Sequence, residues 1–473
     1  MRWRTLRIAM ILLGSGCSLL GTRVTIDEQP LPSSFAGAPT SGRSVAPIGW
    51  REWLRDDDLD ALVTEALRNN QDLLIAMQRV EKARAGVRSA TGALVPQVSL
   101  SVGADVRKFG LYTMDGAGNA TTDITPGRLI PDPLPNLMIG LQSVWEVDLW
   151  GRLRSARQAL AAQYLSEIEA TNLVLSTLVA DVASAYFDLL ALDRVVDVLG
   201  RAAAEQSEAL EIARLQKAAG RTNELAVQQF EAQVADTVAT QRDAMQQVVE
   251  SENRINVLLG RYPQPVPRSP QQLFSPPAMP VAAGVPSDLL RNRPDVRAAE
   301  LAVQSTKFDL EAARAAFFPA LTITAGAGYE AFNGAYLFRT PESLAYSAAA
   351  GLVTPLVNRL ALEAQFMEAK ADQIKAMYEY QRTLLVAYTE VVNALSNIRR
   401  TDEILVNRTR QQAALERSIV AADALYRAGK ATYLEVLLAQ QNALQAEIEL
   451  AEAHRNRRVA NVVAYKALGG GWL

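Results

Sequence analysis

The chain repeats itself, and a fold that must accommodate one segment twice is confined to few architectures. Leu67, Arg68, Asn69 and Asp72 recur as Leu290, Arg291, Asn292 and Asp295 at an offset of 223, which also carries Val80 to Val303 and Pro96 to Pro319. Further along, Ala219, Gly220 and Leu225 recur as Ala428, Gly429 and Leu434 at an offset of 209, and Leu259 and Gly260 as Leu468 and Gly469. The repeats occupy 59–262 and 286–468. Between them, 263–285 carries Pro263, Pro265, Pro267, Pro270, Pro276, Pro277 and Pro280, which excludes a helix interior or a central strand. Residues 17–58 form an extended segment ahead of the first repeat, and 469–473 a short tail.

Each repeat reads as helix, two strands, long helix, helix. Proline is absent from Asn136 to Tyr262 and from Leu356 onward, where Ala, Leu, Glu, Gln and Arg dominate, so both stretches are helical. Gly220 and Gly429 break them into hairpins. Gly151 to Ala218 spans roughly 100 Å at the helical rise, Arg221 to Gly260 about 60 Å, and the first helix, Asp60 to Ala93, about 50 Å. The stripe Leu175, Leu178, Val182, Ala185, Leu189, Leu192, Val196 and Leu199 alternates spacings of three and four, the mark of a coiled-coil seam.

The strand segments alternate. Val98, Leu100, Val102, Ala104 and Val106 face one way, and Ser99, Ser101, Gly103, Asp105 and Arg107 the other. The repeat partner sets Leu321, Ile323, Ala325, Ala327 and Tyr329 against Thr322, Thr324, Gly326, Gly328 and Glu330. A second pair sets Leu137, Ile139, Leu141, Trp145, Val147 and Leu149 against Gln142, Glu146 and Asp148, with a weaker match at Leu344, Tyr346, Ala348 and Leu352. Each run is about 10 residues, the length of a tilted membrane strand. Alternation alone fits a small sheet on a soluble core equally well. The loops between the strands, 110–136 and 333–342, are compatible with the outward loops of an outer-membrane barrel. Four strands cannot close a barrel, and open edges are not tolerated in lipid, so on this reading other copies of the chain must complete it.

The N-terminus points the same way. Arg2, Arg4 and Arg7 precede a short apolar run and then Gly14, Ser15, Gly16 and Cys17, the anatomy of an export signal at 1–16 ending on a lipidated Cys17. Gly16 fits a lipobox, although Leu13 stands one place early. No later run reads as apolar enough to span a membrane as a helix.

Composition removes other classes. One cysteine and one histidine, His454, supply neither a disulfide framework nor the usual metal or His-centred catalytic sets. No cofactor and no enzymatic activity are expected. With 48 basic and 51 acidic residues, a formal charge of -3 gives no footprint for nucleic acid. Asp56, Asp57 and Asp58 fit the positively polarised start of the first helix.

Three stretches carry a family resemblance. Asp288 to Glu300 (DLLRNRPDVRAAE) with Ala312 to Ala320 (AARAAFFPA), and Trp145 to Arg152 (WEVDLWGR), resemble the signatures of the TolC-like outer-membrane efflux proteins, nearest the NodT/OprM-type lipoprotein branch. The resemblance runs from Cys17 to Leu468. It implies a membrane α+β fold in which four transmembrane strands per protomer complete a 12-stranded barrel in a homotrimer, above a long coiled-coil periplasmic tunnel. It further implies an exit duct in outer-membrane lipid, joined through a periplasmic adaptor to an inner-membrane pump of the resistance-nodulation-division (RND) type. An ATP-driven type I secretion system as partner, or a non-channel coiled-coil scaffold, are the rival readings.

The same resemblance nominates site residues. Tyr426 and Glu435 stand where the family constricts its periplasmic gate, and Gly220 and Gly429 at its tip turns. Ala226, Ala431 and Leu438 replace other polar gate positions, so the fuller network of some members is not reproduced. Arg221, Arg427 and Lys430 are candidate adaptor contacts, although basic residues there also complement helix C-termini.

Overall fold

The computed structural model describes residues 21–27, 29–36, 44–276, 281–354 and 359–472. Cys17 and the expected signal lie outside the described residues. In chain order the elements are α1 (Trp50–Leu54), α2 (Asp57–Asn69), α3 (Gln71–Gly92), β1 (Gln97–Arg107), α4 (Met114–Thr121), β2 (Asp123–Thr125), β3 (Arg128–Leu129), β4 (Leu134–Val147), α5 (Arg152–Ala218) and α6 (Glu224–Leu258). After two 3-10 turns, Pro270–Phe274 and Pro286–Asp288, come α7 (Leu289–Asn292), α8 (Pro294–Ala315), β5 (Ala320–Ala331), β6 (Leu344–Val353), α9 (Leu360–Arg427) and α10 (Tyr433–Ala467). The short helix α1 falls in a stretch expected to be extended. The chain divides into two compact units, one chiefly Glu81–Leu165 with Leu301–Tyr378, the other chiefly Glu28–Val80, Ser166–Glu300 and Glu379–Leu473. Each unit draws on both repeats.

In the second unit the long helices are held by their apolar stripes. Leu178, Val182, Ala185, Leu189 and Leu199 of the expected seam are buried, as are Val179, Tyr186, Phe187 and Leu190 between them. They join Leu59 and Val63 of α2, Ile255 of α6, Val391 of α9, Val462 of α10 and Leu273 of the proline-rich segment in one core. By composition α5 contains a window apolar enough to cross a membrane, contrary to the expectation that no helix does. That window is 61% buried in protein, which is the behaviour of a core helix.

The first helix is not continuous from Asp60 to Ala93. It stops at Asn70, whose extended backbone separates α2 from α3. Buried Asn70 accepts from the Leu73 N–H at 3.0 Å, capping α3, and its Nδ2 donates to the Leu258 carbonyl at 2.9 Å. The second repeat breaks at the matching place, Arg293, whose Nη1 donates to the Ala467 carbonyl at 2.8 Å. Those two carbonyls are themselves repeat partners at the offset of 209, so the duplication extends to individual hydrogen bonds. Close packing repeats too: a Cβ on Gly260 would meet the Asn69 oxygen at 2.3 Å, and one on Gly469 the Asn292 oxygen at 2.4 Å. Both glycines have positive φ. Burial opposes the charge on Arg293, but Asp295 and Glu390, each 2.7 Å away, outweigh it and raise its pKa.

In the first unit the sheet order is β1-β4-β5-β6, every pair antiparallel. Leu310, Phe317 and Phe366 form a small core beside it. The first hairpin loop is not a plain outward excursion. It contains α4, capped by Thr113 through a 3.1 Å bond from Gly116 N–H, and the two-stranded ribbon β2-β3.

Candidate functional site

The register sorts the four strands into two faces. Leu100 lies opposite Leu141, which lies opposite Ala327, itself opposite Tyr346. Val102, Ile139, Tyr329 and Leu344 form the next row, and Trp145, Ile323 and Ala350 another. Because opposed residues share a face, this is one continuous apolar surface, with the parity read from the sequence. It is exposed: Leu100 is 68% and Val102 71% accessible. The other face carries Ser101, Asp105, Gln142, Glu146, Thr322, Thr324 and Glu330, with Gly140 directly opposite Gly328. A Cβ on Gly328 would lie 2.4 Å from the Gly140 Cα, so the two strands approach here as only glycine permits. Among the described residues β1 and β6 each pair with one neighbour, leaving both sheet edges open.

Where strand passes into helix, two of the signature stretches, 145–152 and 312–320, meet. Trp150 stacks on Phe318 at 5.0 Å and its indole N–H donates to the Pro319 carbonyl at 2.9 Å. Trp145 donates to Leu94 at 3.1 Å. Arg152 forks onto both oxygens of Glu146, at 2.8 and 2.7 Å, and Asp148 accepts from the backbone of Leu153 and Arg154 to cap α5. The family signatures thus fix how a strand hands over to a helix. The Glu146 and Arg152 pair was not singled out from the sequence, although both lie within a quoted motif.

The other candidate region is the pair of hairpin turns. Gly220 and Gly429 have φ of 70° and 67°. In each turn the residue after the glycine donates its N–H to the carbonyl five residues back, Arg221 to Gln216 at 2.8 Å and Lys430 to Leu425 at 2.9 Å. The next helix starts from Asn223, which accepts from Ala226 N–H, and from Thr432, whose N–H donates to the Glu435 carboxylate at 2.5 Å. Glu435 is therefore the N3 member of a capping box, exposed at the start of α10. Tyr426, half-buried, donates its hydroxyl to Gln216 Oε1 at 2.7 Å and so ties one turn to the other. No feature of the sequence marked Gln216. Leu210 and Ala213 of α5, Val227 and Phe230 of α6 and Leu437 of α10 close a small core behind the turns. Arg221, Arg427 and Lys430 are all exposed, and Arg427 pairs with Asp423 of its own helix at 2.9 Å. No group of metal-ligating residues occurs among the described residues.

The family profile described as outer membrane efflux protein matches residues 62–261 and 285–470. The chain belongs to this family. It is 32% identical over 472 residues to the pyoverdine export outer membrane protein OpmQ of Pseudomonas aeruginosa, covering 97% of this chain and 96% of that one. The cation efflux system protein CusC of Escherichia coli is 26% identical over 473 residues, with 99% of both chains covered. Among solved structures, the outer-membrane channel OprN superposes with a TM-score of 0.83 at 27% identity, over 96% of this chain and all of that one. This outer membrane efflux protein thus resides in the outer membrane and serves efflux there. Its fold class is the internally duplicated membrane α+β fold, with four transmembrane strands and long coiled-coil helices.

Proposed function

We propose that the chain is the exit duct of a tripartite efflux system, passively conducting cargo that an RND-type inner-membrane pump delivers through a periplasmic adaptor. The observation that carries the reading is the sheet, which has one continuous exposed apolar face, a polar face containing glycines, and two open edges. Lipid satisfies the first, water the second, and only strands of other copies the third. The family resemblance implies three copies, whose twelve strands are enough to leave a lumen above small residues. A homotrimer is therefore proposed, anchored additionally through a lipidated Cys17. Relatives named for pyoverdine export and for cation efflux resemble the chain along nearly its whole length, which supports assigning cargo choice to the pump.

Within the duct, Tyr426 and Glu435 are the proposed gate residues at the turns of Gly220 and Gly429. Arg221, Arg427 and Lys430 are the proposed adaptor contacts. Glutamine serves at N3 of a capping box as glutamate does, so Glu435→Gln removes charge while leaving the helix start intact. Single-channel recording should show reduced cation preference in Glu435→Gln, because an acidic ring attracts cations in a narrow pore. Unchanged selectivity would remove Glu435 from that role. For the assembly itself, a photo-crosslinking residue at Lys430 in the native host should capture an adaptor together with a proton-driven pump. Capture of an ATP-driven transporter would move the reading to protein secretion.

A further inference from the structure

The first hairpin loop builds a pocket that passive conduction does not require. Its volume is about 330 Å³, and its lining includes Arg107, Phe109, Ile124, Ile130, Glu330 and Phe332. That is the size of a small-molecule site, and its apolar wall with few charged groups is the usual composition of one. Arg107 and Glu330 belong by register to the polar face of the sheet. The pocket lies at the strand ends remote from α3 and α8, beside the end of β1 and the start of β4.

The loop is held in shape. Ile130 N–H donates to the Thr122 carbonyl at 3.2 Å, and Gly127 N–H to the Asp123 carboxylate at 2.7 Å. Buried Gly116 sits so close to Gly110 that a Cβ would lie 2.0 Å from its oxygen. Phe332 of the lining is itself braced, meeting Tyr336 edge-on at 5.7 Å, with Arg339 over Tyr336 at 4.8 Å. Arg107 is committed to Asp105, 2.8 Å away. Glu330 has no ion pair among the described residues. It stands two strands across and four residues along from Arg107, so their Cα atoms are roughly 17 Å apart, and the Arg107 guanidinium is already engaged by Asp105. An uncompensated carboxylate beside aromatic and aliphatic walls favours a cation with an apolar body.

We propose that this pocket is an exit-side binding site for an amphipathic organic cation, its body among Phe109, Ile124, Ile130 and Phe332 and its charge toward Glu330. The site holds departing cargo at the mouth of the lumen. This rests on the exit-duct reading, since only then does the polar face line the path of cargo.

The test uses the purified full-length protein in planar bilayers, with tetraphenylphosphonium added on the loop side. Wild type should show transient current blocks whose dwell time shortens about tenfold in Glu330→Gln and in Phe332→Ala, the loss of one charge-assisted or aromatic contact. Phe109→Ala serves if Phe332→Ala assembles poorly, and each variant must retain wild-type open conductance. The anion 1-anilinonaphthalene-8-sulfonate should not block. Equal block in Glu330→Gln, or equal block by the anion, overturns the site while leaving the duct intact. Absence of any wild-type current would overturn both.

Discussion

Asp56 shows how one buried carboxylate couples folding to pH. It is 4% exposed, caps α2 through the Leu59 N–H at 3.1 Å, and accepts from the Tyr186 hydroxyl at 3.4 Å. Burial raises its pKa, and Asp58 adds to that, against the Leu59 N–H, Tyr186 and Arg458. A carboxyl whose folded pKa lies above its unfolded value of about 3.9 stabilises the fold in acid, and that contribution is lost as pH rises through the folded value. The stability margin of wild type over Asp56→Asn should therefore shrink between pH 4 and neutrality in thermal melts; a margin growing with pH would contradict the assignment. Gly328 tests packing instead of charge. Gly328→Ala drives a methyl into the Gly140 backbone and should cost about 1–3 kcal/mol, read as a lower urea midpoint of the assembled protein. At this scale the tip glycines were legible, because a break in a long helical pattern has few other causes. The capping use of Glu435 was less so, since an acidic residue early in a helix reads equally as cap, gate or solvated face.

At the scale of elements, the breaks at Asn70 and Arg293 carry the clearest expectations. Asn70→Ala removes a cap and leaves the Leu258 carbonyl without its partner, for a loss of roughly 1–2 kcal/mol. Arg293→Ala strands Asp295 and the Ala467 carbonyl and should cost more, about 3 kcal/mol. Denaturant unfolding of both variants checks the order, and a smaller effect at Arg293 would contradict it. Sequence patterning predicted continuous helix through Asn70 because the apolar period carries on across it. The break depends on a carbonyl 188 residues away, which no local window contains. The strands were more legible. Their period of two fixes which side chains share a face whatever the partner, and the observed register reproduces that parity in all four. The helix and ribbon within the first hairpin loop were missed, since their short turns leave no periodicity to read.

At the scale of the molecule, the sequence repeats and the compact units cut across one another. Duplication is visible along the chain, but each unit takes part of both repeats, so the boundary near 263–285 is one of ancestry more than of space. The number of copies was not legible from residue patterns, because a protomer's strands state only that their edges need partners. The central claim is that those edges are closed by other copies. Cys17 is the single native cysteine, so Ser101→Cys on β1 together with Ala349→Cys on β6 gives an almost clean background for a short bifunctional thiol reagent in intact outer membranes. A head-to-tail ring predicts covalent dimers and trimers with the ladder ending at three, while either cysteine alone gives no ladder. Adducts confined to the monomer, in protein properly placed in the outer membrane, would contradict the account.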